Sequence, residues 1–199
     1  MRNINRSLPR SIISTLAALL LAGGSLQATA APASAATPAP ATPAKTAAAK
    51  SAIRINAGAS AAEVDAKGTA WLADQGFAGG DTIDRGSIAI ANTETPSIYR
   101  TEHYDMSGFS YKLPNGKYTV RLHFAETFEE ITGAGQRVFS INVAGQVFKD
   151  FDVWVKAGGG QRAYVETVKV DITDGKLDIT FTSNIQSPEI NGIEIIPAS

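Results

Sequence analysis

The chain has 199 residues, no cysteine, and 18 basic against 19 acidic residues. This near-balance excludes the clustered Lys and Arg that a phosphate backbone demands, so nucleic acid is not an expected partner. The absence of cysteine excludes a disulfide-stapled fold, and the core must hold through burial alone.

In chain order, Arg2, Arg6 and Arg10 precede an apolar run over 12–22, and Ala28-Thr29-Ala30 then offers an A-x-A cleavage site. Residues 1–30 read as a Sec signal peptide. The apolar run is too short to span a bilayer comfortably, and no cysteine follows it for lipid attachment. The expected mature protein is exported to the periplasm or the extracellular space, with no membrane insertion after cleavage. Removing the leader leaves 15 basic against 19 acidic residues, a formal charge of −4. Residues 31–52 are Ala, Pro, Thr, Ser and Lys, with Pro32, Pro38, Pro40 and Pro43 breaking any helix the alanines favour, so they read as a flexible tether.

The globular part, 53–199, opens with a strand at Ile53-Arg54-Ile55-Asn56. Between 58 and 92 the pattern is poor, with Trp71, Phe77 and Gly79-Gly80 scattered among polar residues, and long ordered loops are expected. The clearest strand follows: Tyr118, Val120, Leu122 and Phe124 share one face, while Thr119, Arg121 and His123 share the other. The two-residue turns Asn115-Gly116 and Asp174-Gly175 predict hairpins. The first would set Leu113 opposite Tyr118, and the second Ile172 opposite Leu177. Ala144-Gly145 predicts a third, less regular one. A last strand over 189–196 turns Ile193 and Ile195 inward. Short strands with regular turns and no sustained 3.6-residue repeat give an all-β antiparallel sandwich.

Beyond Phe124 the alternation gives way to an aromatic ring among carboxylates, Ala125-Glu126-Thr127-Phe128-Glu129-Glu130, which suits a strand end opening onto a ligand edge. Glu126 keeps the inward parity of Phe124 and therefore needs a buried partner. Glu102 needs one as well, with Arg100 or Arg121 as candidates. Glycoside hydrolysis needs two carboxylates at a set separation across a bond. Glu129-Glu130 point opposite ways, and neither they nor Asp150 and Asp152 promise that geometry. His103 and His123 are too few for a zinc site, and His123 has the outward parity of a surface or inter-sheet position. Gly158-Gly159-Gly160 lacks the Lys-Ser/Thr of a phosphate cradle, and no G-x-S-x-G elbow occurs. No catalytic residue, metal or cofactor is expected. Trp71 and Trp154 read as core or loop anchors.

Several segments occur in the order seen in malectin domains: Ile55-Asn56-Ala57-Gly58, Tyr99-Arg100-Thr101-Glu102-His103-Tyr104, Phe109-Ser110-Tyr111, Leu122-His123-Phe124-Ala125-Glu126, Val138-Phe139-Ser140-Ile141-Asn142-Val143 and Lys149-Asp150-Phe151-Asp152. The chain resembles that family over 53–197, as a bacterial member. The resemblance implies a jelly-roll-like β-sandwich that binds glucose-containing oligosaccharides through loop aromatics and a carboxylate. It places a ligand-contacting ring on Tyr104. The family's aromatic pair falls on Phe128 and Glu129, keeping one ring and losing the other. The family's aspartate falls near Gln186. Tyr99 is a further candidate. The expected role is a non-catalytic carbohydrate-binding module. The rival readings are a protein-interaction module facing a cell-envelope partner and a polysaccharide-degrading enzyme.

Overall fold

The computed structural model describes residues 51–198. The leader and nearly all of the tether lie outside the described residues. The chain enters at β1 (Ile53–Asn56) and then lays down short strands, β2 (Glu63–Val64), β3 (Ala70–Trp71), β4 (Phe77–Ala78) and β5 (Asp81–Asp84). A 3₁₀ turn, Pro96–Tyr99, begins with the proline whose fixed φ suits a helix start. It leads into β6 (Thr101–Tyr104), β7 (Gly108–Lys112), β8 (Gly116–Phe124), β9 (Val138–Val143) and β10 (Gln146–Phe151). One helical turn, α1 (Val153–Ala157), is capped by Asp152, whose side chain accepts the Val155 N–H, and ends on Gly158 at φ 76°. The chain closes with β11 (Tyr164–Ile172), β12 (Lys176–Ile185), β13 (Glu189–Ile190) and β14 (Gly192–Pro197).

Two antiparallel sheets form the sandwich, one in the order β1-β14-β8-β11 and the other β10-β9-β12-β7-β4. The alternation read along β8 is its burial pattern: Tyr118, Val120, Leu122 and Phe124 are all at most 3% exposed. They join Phe109, Ile141, Leu177, Ile179 and Ile193 in one core. Each such side chain removed from water contributes on the order of 2 kcal/mol, which lets a cysteine-free chain hold this fold.

Two predicted hairpins are not hairpins. β8 pairs with β14 and β11, whereas β7 pairs with β12 and β4, so Asn115-Gly116 carries the chain from one sheet to the other. Asp174-Gly175 carries it back, from β11 to β12. The apolar residues face one another across the core rather than along a ladder, and both arrangements satisfy the same alternation. The two turns brace each other: the Asn115 Nδ2 donates to the Thr173 carbonyl at 2.8 Å, and the Gly175 N–H donates to Asn115 Oδ1 at 2.9 Å. Only Ala144-Gly145 makes the predicted hairpin, setting Val143 opposite Gln146. Its residues sit at φ 46° and 93°, the left-handed pair that matches strand twist.

The final strand is also interrupted. Asn191 is fully buried between β13 and β14, where its side chain accepts the Ala125 N–H at 2.6 Å and donates to the Thr101 carbonyl at 2.8 Å. It pins the end of β8 to β6. The outward face of β8 is covered at its far end. His123 is 5% exposed, beneath Trp71 and Tyr99. These rings belong to a second apolar cluster with Ile90, Ile98, Ala125 and Ala163, to which the 58–92 segment, expected as loops, contributes Trp71 and Ile90.

Candidate functional site

The two crossing turns occupy one end of the sandwich. At the other end, where β8, β12 and β6 stop, the chain leaves three side chains around one cavity of about 290 Å³. Tyr104 comes from the last residue of β6, Phe128 from the segment after β8, and Gln186 from the residue after β12. Ile83, Arg85, Glu102, Arg137 and Ser187 complete the wall. Tyr104 and Phe128 are half-buried, and each presents part of its ring. Gln186 stands at φ 64°, an uncommon backbone for a residue with a long side chain.

The floor is charged and largely buried. The Glu102 carboxylate accepts the Thr127 hydroxyl at 2.7 Å and meets Arg85 Nη2 at 3.5 Å, while Arg85 Nε donates to the same hydroxyl oxygen at 3.2 Å. Arg85 also lies 5.6 Å over the Phe128 ring. The partners expected for Glu102 are engaged elsewhere: Arg100 donates to the Ile88 carbonyl and Arg121 pairs with Glu194. Glu126 does find a buried partner. Its Oε2 lies 2.8 Å from Arg137 Nε, and Arg137 Nη1 donates to the Ser187 carbonyl at 2.9 Å.

Glu189, wholly buried on β13, has no hydrogen-bond partner among the described residues for either carboxylate oxygen. Burial first, and then the charges of Glu102 and Glu126, push its pKa well above the usual carboxylate range; Arg137 and Arg85 oppose this without overcoming it. The resulting floor sets two carboxyl groups, Glu102 and Glu126, against the guanidinium groups of Arg85 and Arg137, with the Glu189 carboxyl buried among them.

Of the remaining sequence candidates, Glu129 is exposed beside Phe128, where it borders two neighbouring depressions. Tyr99 is not part of this group. It is 2% exposed, and its hydroxyl bonds His123 Nδ1 at 2.8 Å. Burial pushes its phenol up to about 12. Trp71 is a buried anchor whose Nε1 donates to Asp65 at 3.0 Å. Trp154 is only half-buried, on α1. The wall residues missed by sequence reasoning, Ile83, Arg85, Arg137 and Ser187, lie in segments whose local pattern carries no signal. Their only cue was the need of Glu102 and Glu126 for cations.

A larger cavity, about 760 Å³, lies over the outer face of the first sheet, lined by Arg54, Trp71, Arg121, His123 and Glu194 among others. The charged groups at its base are committed to one another. Glu194 meets Arg54 Nε at 2.8 Å, Arg121 Nη1 at 3.0 Å and His123 Nε2 at 3.0 Å. Burial lowers the His123 pKa and keeps the ring neutral at pH 7. Burial also pushes the Glu194 carboxyl up, but the His123 hydrogen bond and the arginines outweigh it and hold the carboxyl at about 2. With His123 neutral, Arg54 and Arg121 more than offset that single negative charge. This self-satisfied network holds the covering layer on the sheet, and cavity size alone does not make it the ligand site. Among the described residues no group of three His, Asp or Glu side chains could hold a metal ion, and no helix is long and apolar enough to cross a membrane.

An antiparallel β-sandwich with a small aromatic-walled pocket on its loop end is the architecture of a ligand-binding module. The chain belongs to the Malectin domain family, whose model matches residues 51–194. It is 30% identical over 150 residues to the kinesin-like protein KIN-14E of Oryza sativa subsp. japonica, covering 70% of this chain and 14% of that protein. Bacteroides uniformis beta-glucuronidase shares the fold at a TM-score of 0.66 and 22% identity, over 74% of this chain and 18% of the enzyme. A chain of the complex of the plant peptide RALF23 with FER and LLG2 shares it at 0.64 and 20% identity, over 73% of this chain and 48% of its own length. The chain thus spans less than half the length of each of these relatives.

Proposed function

We propose that this domain is an exported, non-catalytic carbohydrate-binding module of a bacterial cell, and that it recognises a glucose-containing oligosaccharide at the Tyr104–Phe128–Gln186 cavity. The observation that carries the reading is the convergence of two half-exposed rings and a strained glutamine, from three distant segments, over a charged floor. A pyranose offers flat patches of C–H and pairs of hydroxyls. The rings meet the first, and the Gln186 amide, Arg85, Arg137 and Glu102 meet the second. Glu102, Arg85 and Thr127 hold one another in place, so little ordering is needed when a ligand arrives. Affinity for a short glycan is modest because few atoms are buried. The leader read at 1–30 exports the domain, and the tether at 31–52 lets it sample surrounding glycan.

Calorimetric titration of the purified protein with hits from a glycan array tests this reading. Binding abolished by Tyr104→Ala, with an unchanged circular dichroism spectrum, supports it. Binding that survives both Tyr104→Ala and Phe128→Ala removes the site.

A second reading, a protein-interaction module, is favoured by Glu129 standing where the family has its second ring, and by a fold relative solved with a bound peptide. A blank array from folded protein, together with a specific envelope partner, would select it.

A further inference from the structure

The depression at Tyr104 does not end at Phe128. That ring also borders a second depression of about 210 Å³, shared with Arg85, Glu129 and Gln161, and a third of about 340 Å³, shared with Glu129, Ile131, Gln161 and Trp154. Phe128 is thus a ridge in a groove running from Tyr104 to Trp154. The first two depressions are each below the ~300 Å³ at which ligand pockets begin, and the third is only just above it; joined, they reach the ordinary range.

Three features give the far end the character of a built subsite. Trp154 is held in place: the Gly160 backbone lies so close to its ring that a Cβ there would sit 2.8 Å from Cζ3. Its helix is fastened by Asp152, which accepts the Val155 N–H at 3.1 Å and the Gly135 N–H at 2.7 Å. Beside it, Gln161 stands at φ 51°. Its backbone is locked on both sides, the N–H donating to the Glu126 carbonyl at 2.8 Å and the carbonyl accepting the Ala91 N–H at 2.9 Å.

The non-glycine residues at positive φ include Asn92, Asp105 and Asp150, short polar types that tolerate it, and Ala144 in the hairpin turn. The other two are Gln186 and Gln161, one on each side of Phe128. Uncommon backbone at two long amides flanking one ring is a reason to look for a ligand there. The Gln161 amide makes no hydrogen bond within the described residues, so both its donor and its acceptor are available.

We infer that Trp154 and Gln161 form an outer sugar subsite, and that the groove takes a linear neutral oligosaccharide longer than a disaccharide. The inference rests on the proposed sugar site at Tyr104. Trp154 supplies the second stacking face that Glu129 no longer provides, and Gln161 offers both amide groups to a hydroxyl pair, whereas at the first subsite Gln186 offers its amide N–H groups, its Oε1 accepting the Ser187 N–H at 3.2 Å. Exposed Glu129 and Glu130 on the rim disfavour a polyanionic chain by repulsion.

The test is calorimetry of the full protein against a ladder of neutral gluco-oligosaccharides from monosaccharide to hexasaccharide. Wild-type affinity should rise beyond the disaccharide. Trp154→Ala should weaken hexasaccharide binding by roughly five- to tenfold while leaving glucose and the disaccharide unchanged. Gln161→Gly relieves the backbone strain as it removes the amide, so it should lose long-chain affinity while melting no lower than wild type. Affinity independent of chain length but abolished by Tyr104→Ala overturns the outer subsite and keeps the inner one. A Trp154→Ala effect equal at every length also overturns it. No binding of any sugar by folded wild-type protein removes both.

Discussion

Glu126 and Arg137 meet at 2.8 Å with at most 4% of either side chain exposed, and the facing Nε and Oε2 atoms are close without the directed geometry of a hydrogen bond. The contact is ionic, and it joins the end of β8 to the loop before β9. Removing the cation strands a buried carboxylate whose pKa burial already raises. Arg137→Met is therefore expected to cost about 3 kcal/mol at pH 7. The loss should shrink at pH 4.5, where Glu126 can take up a proton, and urea unfolding at the two pH values measures both.

Glu189 makes the opposite prediction for its own replacement. Its folded-state pKa is raised above the unfolded value, so the folded protein binds the extra proton and stability falls as pH rises above about 4.5. Glu189→Gln keeps the shape, removes that proton uptake and should flatten the slope. The variant should melt higher than wild type at pH 8 and alike at pH 4. A lower melting temperature at pH 8 would show that Glu189 is ionised and paired.

Glu194 titrates in the other direction. Its folded pKa of about 2 lies below the unfolded value, so its contribution is complete above about pH 5 and is lost as pH falls toward 2. Discounted for the partial exposure of Arg54 and Arg121, it amounts to about 2 kcal/mol. Acid unfolding of Glu194→Gln, followed by tryptophan fluorescence, should show lower stability at pH 7 and a shallower acid limb.

Tyr99→Phe removes the hydroxyl that bonds His123 Nδ1 and nothing at the Tyr104 cavity. Loss of about 1 kcal/mol of stability is expected, with unchanged sugar affinity. A change in affinity without one in stability would instead put Tyr99 at the ligand.

Asn115→Ala cuts the side-chain bonds to Thr173 and Gly175 and leaves the backbone bond from the Leu113 N–H to the Gly175 carbonyl, 2.8 Å, between the crossing turns. A cost of about 1–2 kcal/mol in urea unfolding is expected, since the Thr173 carbonyl and the Gly175 N–H are then left to solvent.

Alternation by itself determined the longest strands and which of their faces is core, because a half-buried strand must repeat every second residue; β8 and the inward Ile193 and Ile195 follow from that alone, whereas β2 to β5 carry no such signal. Motif order gave the family and brought Tyr104, Phe128 and Gln186 forward from segments far apart in the chain. Strand adjacency was a tertiary decision. Leu113 and Tyr118 would satisfy the same apolar test as ladder partners or as opposing faces, and only the closing of two sheets over one core chose the second. The covering of His123 was decided in the same way, since outward parity is exposed only where nothing else needs that face, and the apolar residues of 58–99 needed it. The floor of the site was the least legible. Glu126 announced that it required a cation, but which arginine could reach it depended on where the loops converge.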